Sequence, residues 1–240
     1  MLRGEKVTKR FGGLTALKDI DFSVEKGSIF GLIGPNGSGK TTLFNVVCGV
    51  YKPEGGKIFF EGKEITGLPP HKICKLGIAR TFQIVKPFAN MKVIDNVAIA
   101  MVHGRGKVGL KEAREKAPEL LELLGLHRKA DTLAKSLTLA ERKKLEVARA
   151  LATEPKIMLL DEFMAGLNPV EVDEALSMIS KIREDFGITI FMIEHVLKAV
   201  MKICEKVMVL HHGVKIAEGS PKEIASNKDV IKAYLGDRYA

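Results

Sequence analysis

Short runs of aliphatic and β-branched residues alternate with helix-like segments along most of the chain, the pattern of an α/β domain built on a largely parallel sheet. Residues 28–33, 57–60, 157–160, 188–193 and 206–210 read as strands. The last of these runs into His212-Gly213 and a further extended stretch, 214–217, which predicts a closing hairpin. Residues 4–26 also read as β-structure, with turn residues at Gly12-Gly13. From about 87 to 153 the strand pattern stops and helical periodicity takes over. Pro118 separates 110–117 from 119–124 and is expected to break or kink the helix there. Leu145, Ala148, Leu151 and Ala152 place one apolar stripe on a later helix, with Arg142, Lys143 and Glu146 at its exposed positions. The simplest organisation is one domain over 1–240, with a helical subdomain at roughly 87–153 inserted in the α/β core.

Composition narrows the class. Of the 240 residues, 46% are apolar and 28% charged, the balance of a globular chain rather than a disordered one. The longest apolar runs are far shorter than the roughly 20 residues a membrane-crossing helix needs. The first residues lack the apolar core of a secretory signal, so none is expected. Three scattered cysteines, Cys48, Cys74 and Cys204, have no metal-ligand spacing and read as buried reduced thiols. The net charge of +9 fits a nucleic acid, an anionic membrane surface or nucleotide phosphates equally well, and does not choose among them.

The candidate chemistry lies at strand ends. Gly34, Pro35, Asn36, Gly37, Ser38, Gly39, Lys40 and Thr41 match G-x-x-x-x-G-K-[ST], between an apolar strand and a helix that begins near Thr42. Glycines let the backbone wrap round phosphates with its N–H groups turned inward, and the helix N-terminus adds partial positive charge. Lys40 supplies a point charge to the β- and γ-phosphates, and Thr41 offers a hydroxyl to Mg²⁺. This cradle alone does not separate a kinase, a GTPase and a transport ATPase. Asp161 ends an apolar run and Glu162 follows it. An Asp at the carboxyl end of a buried strand can hold Mg²⁺, and a neighbouring carboxylate can orient or deprotonate an attacking water.

Three further stretches carry a family resemblance. Leu137-Thr138-Leu139-Ala140-Glu141 and the helix after it resemble the signature of the ABC transporter ATPases. Phe82-Gln83 resembles that family's Q-loop, and Ile193-Glu194-His195 its switch histidine. The resemblance covers essentially the whole chain. It implies a P-loop NTPase-type ABC ATPase domain: a mostly parallel core sheet, an N-terminal antiparallel β region and a helical subdomain. It also implies that Phe11 stacks on adenine with Ala16 packed nearby, and that Gln83 touches Mg²⁺ and the attacking water. By the same resemblance Glu162 is the catalytic carboxylate, His195 contacts the γ-phosphate, and Ala165-Gly166-Leu167-Asn168 cross a dimer interface. Taken alone, Phe11 fits a core aromatic and His195 a helix-start residue.

Two departures carry expectations of their own. Ala140 stands where the family has glycine, which predicts weaker closure through a restricted approach or backbone angle. Phe163 stands where proline is common, which predicts a less rigid turn. The segments Gly77-Ile78-Ala79-Arg80-Thr81-Phe82-Gln83, Ala165 to Pro169, Ile216-Ala217-Glu218-Gly219 and the tail ending Tyr234-Leu235-Gly236 most resemble ATP-binding subunits of branched-chain amino-acid importers. The resemblance implies ATP and Mg²⁺, a head-to-tail pair of ATPase subunits, and membrane permeases docked near residues 84–91. It further implies a solute-binding protein and a peripheral place on the inner face of the cell membrane. The alternatives are a soluble ABC ATPase acting on nucleic acid, or the ATPase of a lipopolysaccharide-export or urea/amide transporter. The sequence has no coiled-coil insertion and no aromatic-interleaved basic groove, so no nucleic acid is expected.

Overall fold

The computed structural model describes residues 1–235 of the 240. Alternating apolar positions near the start build two long strands, β1 (Leu2–Phe11) and β2 (Leu14–Val24), paired antiparallel across the turn Gly12-Gly13. Five consecutive buried residues form β3 (Ile29–Ile33), as expected of a strand covered on both faces. Residues 34–39 then lead into helix α1 (Lys40–Val47). Strand β4 (Gly55–Phe60) pairs with β1 and carries the short β5 (Lys63–Glu64), so this sheet runs β2-β1-β4-β5. Helix α2 (Pro70–Leu76) follows.

Residues Cys74–Ile188 form a compact unit of their own. It contains β6 (Ile78–Arg80), α3 (Val93–His103), α4 (Leu110–Leu123), α5 (Leu139–Leu151), β7 (Ile157–Asp161) and α6 (Pro169–Phe186). Strands β6 and β7 are parallel, with Arg80 opposite Leu159. From Thr189 the chain belongs again to the unit that holds Met1–Ile73. It adds β8 (Thr189–Ile193), α7 (Leu197–Ile203), β9 (Lys206–His211), β10 (Val214–Gly219), α8 (Pro221–Ser226) and α9 (Lys228–Leu235). In this unit β3 pairs in parallel with β8 on one side and β9 on the other, and β10 closes the edge antiparallel to β9. The tail motif reaches α9, but its Gly236 lies outside the described residues.

An aromatic cluster fixes the strands and α1 together. Phe191 of β8 meets Phe44 of α1, Phe30 of β3 and Phe22 of β2 at ring-centroid distances of 4.8, 5.3 and 6.0 Å. Such pairs add about 0.5–1.5 kcal/mol each beyond area burial. They hold the helix that follows the glycine-rich loop in a fixed position on its sheet.

Two expectations are corrected. Of the break or kink expected at Pro118, the break is absent: α4 runs unbroken from Leu110 to Leu123. A proline inside a helix costs about 3 kcal/mol, but Ala113, Ala117 and Leu121 are fully buried on both sides of it, with α4 packed on α3. Tertiary burial of one face outweighs the missing hydrogen bond. Lys143 and Glu146 are not exposed; they retain 4% and 7% of their accessible surface. Helix α5 is covered on a second face as well as along its aliphatic stripe, and both charges find partners there.

All three cysteines are reduced; Cys48 and Cys204 are buried whereas Cys74, expected to be buried, is half-buried, and burial pushes the Cys204 thiol up to about 12. Among the described residues no helix is long and apolar enough to cross a membrane.

Candidate functional site

The glycine-rich loop owes its shape to positions that only glycine fits. Gly34 has φ +150°, and a Cβ there would stand 2.1 Å from the Leu210 carbonyl oxygen. Gly39, the residue before α1, has φ +104°, and its Cβ would stand 2.6 Å from the Ala16 carbonyl oxygen. The loop is therefore pressed against its neighbours from below, while Asn36 and Gly37 at its crown are exposed. No side chain caps the N-terminus of α1, the end of a helix that favours negative charge. Lys40 is 95% buried, and its Nζ donates to the Gly34 and Pro35 carbonyls at 2.8 and 2.9 Å. Ser38 is buried, and Thr41 and Thr42 are half-buried in the first turn.

A second turn supports this loop. His212 and Gly213 both have positive φ, 47° and 75°, and join His211 to Val214 as a two-residue hairpin turn. The Gly213 N–H donates to the Ser38 carbonyl at 3.0 Å, and its carbonyl accepts from the Lys18 N–H at 2.8 Å. Ala16, assigned to adenine by resemblance, thus also backs the loop with its carbonyl. Phe11 is 42% exposed at the end of β1, so it is not a core aromatic. Its ring meets Tyr51 edge-on at 5.1 Å, with Lys9 Nζ 5.2 Å from its centroid. His195 is exposed in the bend between β8 and α7.

The remaining groups belong to Cys74–Ile188. Asp161 is the last residue of β7 and is 1% exposed. Its Oδ2 accepts from Nη2 of Arg80, the last residue of β6, at 2.6 Å, and the Arg80 side chain is only 6% exposed. The Asp161 N–H donates to Thr81 Oγ1 at 3.2 Å. Glu162 turns away from the strand in a left-handed conformation, φ +50°, that a non-glycine residue adopts at a cost of roughly 1–3 kcal/mol. Gln83 Nε2 donates to Glu162 Oε2 at 2.6 Å. The structure therefore brings Gln83 and Glu162 together.

The signature-like segment ends in a helix cap. Leu137 is buried and Leu139 is 49% exposed. Thr138 caps α5: its Oγ1 accepts from the Glu141 N–H, and the Glu141 carboxylate accepts from the Thr138 N–H at 2.9 Å. Ala140 lies in the helical first turn and is not among the residues with positive φ. The expectation that it restricts the backbone angle is thereby corrected, because a helical position accepts alanine without strain. Phe163 does not leave its turn loose either. It is buried, and its carbonyl accepts from Lys143 Nζ at 2.7 Å. Ala165 and Gly166 are exposed, Leu167 is half-buried, and Asn168 caps α6 through Val170 and Glu171.

The family model described as "ABC transporter" matches residues 17–165, more than half of the chain. The chain belongs to the ABC transporter family. A second model, "Branched-chain amino acid ATP-binding cassette transporter", matches residues 214–240. The high-affinity branched-chain amino acid transport ATP-binding protein BraF of Pseudomonas aeruginosa is 41% identical, over 96% of this chain and 96% of that protein. The probable branched-chain amino acid transport ATP-binding protein LivG of Archaeoglobus fulgidus is 42% identical, over 98% of this chain and 95% of that protein. A nucleotide-free ATP-binding cassette from an ABC transporter superposes with a TM-score of 0.91 at 34% identity, covering 99% of both chains. As an ABC cassette the protein is an ATP-binding, ATP-hydrolysing subunit of a transporter.

Several supports of this cassette are silent in the sequence. The Arg80–Asp161 pair joins residues 81 positions apart, and no local pattern announces it. The turn His212-Gly213 reads as a hairpin signal but gives no sign that it braces the phosphate loop.

Proposed function

We propose that the chain energises uptake of branched-chain amino acids through partner membrane permeases, hydrolysing ATP held between two ATPase subunits. In this reading residues 34–41 hold the phosphates, Lys40 faces the β- and γ-phosphates, and Phe11 stacks on adenine. Glu162 accepts the proton of the attacking water, Gln83 orients that water, and His195 contacts the γ-phosphate. Thr138 and the helix start after it complete the nucleotide site of the second subunit, and residues 165–168 line the contact between subunits. The observation that carries the catalytic part is the 2.6 Å hydrogen bond from Gln83 to Glu162, which sets an amide and a carboxylate side by side where a water can bridge them.

The donor set fits Mg²⁺. Among the described residues no cluster of three or more His, Cys, Asp or Glu side chains could hold a metal by itself. Magnesium instead takes one or two protein oxygens together with substrate phosphates, and Thr41, Asp161 and Gln83 are oxygen donors of the required hard kind. When bound, the ion neutralises charge developing on the phosphate oxygens. The amino-acid specificity rests on the BraF and LivG likenesses and on the C-terminal model match. A solute-binding-protein partner and a peripheral place on the cytoplasmic face of the membrane belong to the same reading.

Vesicles carrying the chain with its permeases and binding protein are expected to accumulate labelled leucine, isoleucine or valine only with ATP inside. Lys40→Ala is expected to lower that uptake at least about 100-fold, because the phosphates lose a charge-assisted contact and its aim. Uptake that persists in the Lys40 variant, or that ignores these amino acids, counts against the reading.

A further inference from the structure

Helix α5 holds two buried charges of opposite sign, Lys143 and Glu146. Charged side chains are seldom buried without partners, and each of these is committed to the backbone of a different loop. Lys143 Nζ donates to the Phe163 carbonyl at 2.7 Å and lies 3.4 Å from the Glu162 carbonyl. It thereby ties down the turn in which Glu162 is left-handed. Glu146 Oε1 accepts from the N–H of Phe82, the residue before Gln83, at 2.9 Å. A spacing of three residues puts both side chains on one side of the helix.

The contacts close a circuit within Cys74–Ile188. From α5, Glu146 reaches Phe82-Gln83; Gln83 reaches Glu162; Lys143 returns from the Glu162-Phe163 carbonyls to α5. Burial raises the Glu146 carboxyl above the ordinary carboxylate range, against the pull of Arg149 and Lys143. The pocket round it uses its Oε1 as the acceptor of the Phe82 N–H. What it requires is an acceptor for the Phe82 N–H.

We infer that Lys143 and Glu146 are positioning residues through which α5 sets Gln83 and Glu162 of its own chain. Thr138 caps the N-terminal end of the same 13-residue helix, the end assigned above to the second subunit's nucleotide. A regular helix transmits a displacement of its first turn to the next two turns as a rigid body. Each subunit's bound nucleotide then tunes the catalytic geometry of the opposite site. The inference rests on the roles proposed for Gln83 and Glu162.

The test compares Glu146→Ala, which removes the acceptor, with Glu146→Gln, which keeps one, in the full chain. ATPase kinetics and exchange of the Phe82 amide are both measured. Glu146→Ala is expected to lower kcat about tenfold or more, with KM within about twofold, because loosened catalytic groups lose near-attack geometry while binding is spared. Its Phe82 amide should exchange about tenfold faster or more, as the amide loses its acceptor. Glu146→Gln should restore slow exchange and at least about half of kcat, since the amide oxygen still accepts. A wild-type kcat in the alanine variant, or an equal loss in both variants, overturns the inference. If the alanine variant does not fold, Lys143→Met decides: a fall in kcat at unchanged KM supports the inference and an unchanged kcat overturns it. Glu162→Gln is run in parallel. Retained turnover there defeats the site assignment itself, whereas an inactive Glu162→Gln beside a fully active Glu146→Ala defeats only the coupling.

Discussion

A chain carrying Glu162→Gln is expected to bind ATP as tightly as the unaltered protein and to hydrolyse it at least about 100-fold more slowly, the usual worth of a positioned general base. Glutamine has the shape of glutamate and can still hydrogen-bond Gln83, so the left-handed turn and its Lys143 anchor are undisturbed. What is lost is the negative charge that takes the proton from water. The cradle's contacts to phosphate, the charged one from Lys40 included, do not change, which is why binding and turnover should separate. Fluorescent-nucleotide titration and phosphate release at saturating ATP measure the two quantities. A rate within tenfold of the unaltered chain would remove Glu162 from its role.

The second large effect concerns folding. Arg80→Met is expected to lower unfolding free energy by about 3–5 kcal/mol, because it strands a buried carboxylate without its counter-charge. Asp161 is 1% exposed and its Oδ2 lies 2.6 Å from the guanidinium. Against a total stability of about 5–15 kcal/mol for a typical domain, this loss is severe. Adding Asp161→Asn removes the stranded charge, so the double variant should regain about half of the loss or more, in line with buried pairs replaced together. Urea unfolding of the two single variants and the double variant completes the cycle. A loss under about 1 kcal/mol in Arg80→Met would match a solvent-screened pair instead.

The parts of the fold that were legible in the sequence are those written in contiguous residues. Strands Ile29–Ile33, Ile157–Asp161 and Thr189–Ile193 are buried throughout and so are built almost wholly of apolar residues, and their ends place the loop, the acidic pair and His195. Residues 34–41 announce themselves because close backbone wrapping admits so few residue types. Legibility fails where the deciding partner is distant. Lys143 and Glu146 look like solvated helix positions until the carbonyl of Phe163 and the N–H of Phe82 are found beside them. Pro118 looks like a helix break because a local penalty is visible and the burial of Ala113 and Leu121 is not. Ala140 looks like a constraint on the backbone by analogy with a glycine, yet its backbone is ordinary helix. Arg80 stands in a motif useful for the subfamily, while its bond to Asp161 depends on two parallel strands lying side by side.

In the proposed mechanism one chain holds only part of the catalytic site, and a second subunit completes it through Thr138. Light scattering of the Glu162→Gln chain, with Mg²⁺ and either ATP or ADP, measures that most directly. The mass is expected to double with ATP, to stay unchanged with ADP, and to stay unchanged with ATP once Lys40 is also replaced by Ala. A chain that stays single at saturating ATP, or that pairs equally well without nucleotide, would contradict that mechanism.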